Sequence, residues 1–119
     1  MASTHTLKAL YTATTISASA TASCTEWANT ITYGGLATVS LSLPGSAPTT
    51  APTITFYSGE ATGVKRQFYK VAGSITSGDY PMDITCEYPA SAMYINITVT
   101  NGATNTLTVE MKAQELTTI

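Results

Sequence analysis

An all-β fold is predicted: a single antiparallel β-sandwich of jelly-roll or immunoglobulin-like type, or a small barrel, built from six to eight short strands with extended terminal arms. Three observations predict it. The 119 residues include 24 Thr, 16 Ala and 11 Ser, and so much β-branched Thr favours pleated backbone, because branching at Cβ costs rotamer freedom in a helix. Apolar and polar residues alternate in several short runs. Turn signals rich in Gly, Pro, Asn and Ser separate those runs at a spacing of about 8–12 residues. With 44% hydrophobic residues, 10% charged and a net charge of -2, residues 1–119 read as one domain that can bury a core without a metal or a disulfide framework.

Taken in order, Thr6 to Ser17 carries Leu7, Ala9 and Tyr11 on one face and predicts a strand, and the small polar run Ser17 to Ser23 predicts a loop. In Ala37 to Leu43 the odd positions Ala37, Val39, Leu41 and Leu43 share a core face, and Thr38, Ser40 and Ser42 share a wet one. Pro44-Gly45 ends that strand, and residues 46–52, with two further prolines, read as a connection between sheets or over the surface. A short strand at Thr53 to Tyr57 places Ile54 and Phe56 together, and Ser58 to Gly63 turns into Val64 to Val71. Tyr80, Met82, Ile84, Cys86 and Tyr88 form an apolar face in the next run, whose Pro81 suits a strand start or edge. In the last third, Met93, Ile95, Ile97 and Val99 alternate in one strand and Leu107, Val109 and Met111 in another, which predicts a hairpin. A two-residue turn at Asn101-Gly102 would put the two apolar sets on opposite faces, so the predicted connection is Asn101 to Asn105, with Val99 opposite Leu107, Ile97 opposite Val109 and Ile95 opposite Met111. Residues 1–6 and 116–119 lack periodicity and read as arms.

Few residues suit catalysis or metal binding. His5, the single histidine, lies in the polar lead-in segment, where nothing predicts a fixed orientation for a catalytic base. One His and two distant Cys do not supply a zinc site, and no cofactor is expected. Cys24 and Cys86 read as free thiols, since no export signal precedes them and the N-terminus predicts a protein that is not secreted. Asp79, Asp83 and Glu87 recur every fourth residue, a spacing that gives a solvated strand face more readily than a calcium site. Lys65, Arg66 and Lys70 are three of five cations, and pairing of Val64–Val71 with Tyr80–Tyr88 would set Lys70 near Asp83 or Glu87. The acidic balance argues against a nucleic-acid partner, and no run approaches the roughly 18 apolar residues of a membrane-spanning helix. Asn96-Ile97-Thr98 matches a glycosylation sequon. Gly34-Gly35 is a turn and not a phosphate loop, because no helix follows it.

Tyr57, Tyr69 and Tyr94 fall on faces read as outward. Core or rim packing is the ordinary role of each, whereas a coplanar exposed pair would form a sugar-stacking platform or a protein interface. The low charge, the Ser/Thr/Ala-rich start, the strand Ala37 to Leu43 and the late stretch YINITVTNGATNTLTVEMKA resemble the small β-sandwich accessory proteins of tailed bacteriophage virions, of the capsid decoration or cement type. That resemblance implies a structural role without an active site, in the virion, assembled in the host cytoplasm. Its expected partners are the major capsid protein or other virion proteins and further copies of the chain, as trimers or on local symmetry axes, with terminal arms clamping neighbours. A carbohydrate-binding or adhesion module, with a glycan as partner, is the alternative, as is a tail, neck or fibre component.

Overall fold

Runs of Thr, Val and Ile build strands along most of the chain. They are β1 (Thr4–Ile16), β2 (Thr21–Ser23), β3 (Trp27–Ala28), β4 (Gly35–Ser42), β5 (Thr53–Ala61), β6 (Val64–Val71), β7 (Met82–Tyr88), β8 (Tyr94–Thr100) and β9 (Leu107–Thr118), with one 3-10 turn at Ser77–Asp79. The computed structural model describes residues 4–24, 27–28, 35–61, 64–73, 75–88 and 94–118. Two antiparallel sheets form, in the orders β1-β9-β4-β7 and β2-β8-β5-β6, with β3 also paired to β8. They pack face to face as an open sandwich, so the barrel alternative falls away. The run 17–23 is a loop only as far as Ala20, because Thr21–Ser23 pairs with Thr98–Thr100 as β2.

The core lies between the sheets and follows strand alternation. Ala37, Val39 and Leu41 of β4 and Leu107, Val109, Met111 and Ala113 of β9 meet Ile54 and Phe56 of β5 and Ile95, Ile97 and Val99 of β8, all of them buried. Burying side chains of this size contributes about 1.5–3 kcal/mol each against leaving them exposed. Residues 4–6 and 116–118, read as arms, pair with one another at the far end of the β1–β9 ladder, with Thr4 opposite Thr118 and Thr6 opposite Glu115.

Two expected pairings are corrected. β8 and β9 are not a hairpin: β8 pairs with β2, β3 and β5, and β9 pairs with β1 and β4. Their apolar rows face one core from opposite sheets, a placement with the same side-chain parity as the hairpin but no shared hydrogen bonds. β6 and β7 likewise part, since β6 pairs with β5 and β7 with β4. Their connection also passes from one sheet to the other, so Lys70 does not face Asp83 or Glu87 across a ladder.

Four connections between the sheets, residues 17–20, 43–52, 72–81 and 101–106, gather at the same end of the sandwich. Asn101 ties the first and last together. Its Nδ2 donates to the carbonyls of Ser17 at 3.0 Å and Asn105 at 2.9 Å, its Oδ1 accepts from Gly102 N–H at 2.8 Å, and its own N–H donates to the Ala20 carbonyl. Thr49, Thr50, Thr104 and Asn105 lace the 43–52 connection to this corner: Thr49 N–H donates to Thr104 Oγ1, Ala103 N–H to Thr50 Oγ1 and Asn105 Nδ2 to the Ala47 carbonyl. Gly102 is required by closeness: a Cβ there would collide with the Thr50 carbonyl oxygen and stand 2.9 Å from Pro48 Cβ.

Gly102→Ala is therefore expected to lose about 1–3 kcal/mol through overpacking, and Asn101→Ala a similar amount, because it leaves the Asn105 carbonyl and the Gly102 N–H without this partner and leaves the Ser17 carbonyl with the Ala20 N–H alone. Urea unfolding of both, set against Gly45→Ala at a site where a Cβ meets nothing within 4 Å, checks this. The control should unfold within about 0.5 kcal/mol of the parent.

Candidate functional site

The outer face of the β1-β9-β4-β7 sheet is paved with short polar side chains because strand alternation turns them away from the core. Across it run rows set by the ladders: Thr15, Thr108 and Ser42; Glu110, Ser40 and Asp83; Lys112, Thr38 and Thr85; Gln114, Leu36 and Glu87. The hydroxyls largely satisfy one another. Thr15 and Thr108 Oγ1 lie 2.9 Å apart, Thr38 and Thr85 Oγ1 3.0 Å apart, and Ser40 Oγ donates to Asp83 Oδ1 at 2.7 Å. Lys112 and Glu110 form an ion pair at 3.0 Å, half exposed and so of small energetic weight. Paired hydroxyls leave water at less cost than lone charges. Leu36, 39% exposed, adds an apolar point at the end nearer the chain termini.

The three tyrosines do not form one patch. Tyr57 stands opposite Asn96, and Tyr94 opposite Gly59, so both lie half-buried and diagonal to one another on the outer face of the β2-β8-β5-β6 sheet. Tyr69 is on the inner face. It stands opposite Phe56, with the ring centroids 5.7 Å apart, while 44% of it remains exposed at the β6 edge. A register shift between Phe56/Tyr69 and Tyr57/Gln67 causes this, since one extra residue on β6 reverses the facing of everything beyond it. Alternation read along the sequence alone places Tyr69 with Tyr57, and the bulge separates them.

The carboxylates and thiols are similarly dispersed. Asp79 is held in the 3-10 turn, where its Oδ2 accepts from the Thr76 N–H and hydroxyl. Asp83 and Glu87 are exposed on β7. Among the described residues no group of three or more His, Cys, Asp or Glu converges to hold a metal ion. His5 lies opposite Leu116 in the β1–β9 ladder; its side chain and that of Lys65, like Gly34, fall outside the described residues. Cys24 and Cys86 are both free thiols. Cys24 is buried at the β2–β3 interruption, where its Sγ accepts the Ile97 N–H at 3.1 Å. Asn96 of the sequon is only 3% exposed and donates Nδ2 to the Cys24 carbonyl at 2.7 Å, so it is closed to glycosylation in the folded chain.

No known protein family matches this sequence, and no curated protein is similar to it.

Burial raises the Tyr80 phenol above its ordinary value, and the neighbouring Asp79 carboxylate adds to this; burial and Glu87 do the same to the Cys86 thiol. Both groups bind their proton more tightly when folded. Their contribution is complete below the unfolded values of 9.0 for Cys86 and 10.0 for Tyr80 and is lost as pH rises through the higher folded ones. Unfolding free energy is therefore expected to be flat near neutrality and to fall in alkali. Tyr80→Phe and Cys86→Ala should each flatten that fall, as denaturant melts across an alkaline pH series would show.

Proposed function

We propose that this chain is a non-enzymatic structural protein of a virion, a capsid decoration protein that docks in many copies on the outer shell. The observation that carries this reading is the outer face of the β1-β9-β4-β7 sheet, four strands wide and rich in Thr and Ser, where the Thr15 and Thr108 hydroxyls and the Thr38 and Thr85 hydroxyls pair and Ser40 bonds the Asp83 carboxylate. The paired hydroxyls of such a face can be set against a repeating protein lattice at less desolvation cost than the charges of Asp83, Glu87, Glu110 and Lys112 that share it, and many weak contacts sum by effective concentration. The paired termini support the same use. Beyond Glu115, β9 keeps only β1 as a partner among the described residues, so Thr4, His5 and residues 116–118 form a two-stranded ribbon with an edge free to take up a neighbour's strand. The stretch that resembles the closing hairpin of phage accessory proteins is an arch between sheets, so the reading leans on the face rather than on that pair.

A carbohydrate-binding module is the second reading, favoured by the Tyr57 and Tyr94 diagonal on the other sheet. Residues at diagonal positions on neighbouring strands stand about 7–8 Å apart, within reach of aromatic side chains, so the two tyrosines can share one ligand.

Peptide mass spectrometry on gradient-purified particles from the source culture, counting this chain against the major shell protein, is expected to find it stoichiometric on heads. A few copies per particle would move it to tail or neck, and absence would overturn the virion reading. On particles, Thr38→Lys with Thr85→Lys is expected to reduce occupancy at least tenfold, with circular dichroism checking that the variant stays folded despite the like charges it sets beside Lys112. Tyr57→Ala with Tyr94→Ala should leave occupancy unchanged and would abolish glycan retention if the second reading held.

A further inference from the structure

One long side of the sandwich carries β7 at the edge of one sheet and β6 at the edge of the other, and among the described residues neither has a second backbone partner. Both edges are charged, with opposite signs. Arg66 and Lys70 of β6 and Asp83 and Glu87 of β7 are all exposed. Edge charges ordinarily keep strands from pairing with copies of themselves. Here like signs forbid β6 against β6 and β7 against β7, while opposite signs favour β6 against β7.

Within one chain that attraction goes unused. Lys70 stands opposite Thr55 on the outer face of its sheet, and Asp83 opposite Ser40 on the outer face of the other. Packed sheets lie about 10 Å apart, and these two faces look away from each other. Among the described residues neither Lys70 nor Glu87 has an ion-pair partner.

We propose that the chain forms a two-fold dimer with a second copy of itself, in which β6 of each copy pairs antiparallel with β7 of the other. The axis runs along the strands, so each sheet continues into the opposite sheet of the second copy. Directions agree: β6 runs toward the end where the connections gather, since its Val71 lies opposite Ile54, and β7 runs away from that end, since its Met82 lies opposite Leu41. Faces agree as well. Counting from that end, the next residues are Lys70 and Asp83, both outward, and then Tyr69 and Ile84, both inward opposite Phe56 and Val39. In the dimer the two edges pair in register from that end, which sets Lys70 beside Asp83 of the second copy and Tyr69 beside Ile84 of the second copy. Tyr69 is the more exposed of the two large hydrophobics that stand open among the described residues, at 44%. In the dimer its free side is covered by the inward row of Met82, Ile84 and Cys86, of which Met82 and Cys86 are half-buried in the single chain. Each contact occurs twice, and the symmetry closes the assembly at two copies.

This dimer stands independently of the virion reading, and sedimentation equilibrium of the full chain tests it. At low ionic strength the mass is expected to be twice 12.4 kDa, with dissociation promoted by added salt. Lys70→Glu and Asp83→Lys should each weaken the dimer about tenfold, replacing attraction by repulsion at two equivalent sites. The double variant should recover most of that loss, because it restores opposite signs. Tyr69→Ser provides a variant that weakens the dimer while leaving the charges alone, and circular dichroism confirms that each variant folds. A monomer throughout the concentration series, a closed trimer, or a double variant no tighter than the weaker single one would overturn the proposal.

Discussion

The corner at Asn101 and Gly102 fixes how the two sheets sit on each other. A chain that crosses between sheets leaves the hydrogen-bond ladder, and its N–H and C=O groups must find partners elsewhere. One side-chain amide uses both donors and its acceptor to satisfy groups from two crossings, and threonine hydroxyls bind the third. Because the crossings are held at one height, the inward rows of β4, β9, β5 and β8 arrive in step. The core then packs with Cys24 and Cys86 both free thiols.

Much of the fold was legible because alternation reports facing directly. Val39, Leu41, Ile97 and Val109 face the core as their spacing requires. Alternation does not report which strand lies alongside. Rows such as Ile95, Ile97 and Val99 and Leu107, Val109 and Met111 meet the same parity condition as a hairpin or as opposite walls of a sandwich, and the two differ in the non-local ladders, β8 with β2, β3 and β5 and β9 with β1 and β4. An Asn-Gly pair signals a tight turn, yet here Gly102 meets a need for space beside Thr50.

The functional surface was legible to a lesser degree. Thr38, Ser40 and Ser42 were readable as a wet face, but its breadth depends on β9 lying between β1 and β4, a non-local pairing that no local pattern encodes. Tyr69 was misplaced by a single bulged residue. The three charges Lys70, Asp83 and Glu87 were associated by closeness in sequence. The fold instead sends them to opposite sheets, where their attraction is unspent within one chain.

The pairing of the first strand with the last also governs how the chain must be made. Thr15 and Thr108, in contact on the β1–β9 ladder, are 93 residues apart in sequence. At ribosomal rates of about 5–20 residues per second, β1 is synthesised roughly 5–20 s before its partner exists. Until then β1 cannot join β4 and β7 in their sheet, because β9 lies between β1 and β4, and contact order makes the closing step slow. The shifts in register at Ala9/Tyr11 and Tyr11/Thr14 belong to the β1–β9 pairing and arise only when that ladder closes. In the finished sheet β1 is an edge strand, and an irregular edge offers a poor template to stray neighbours.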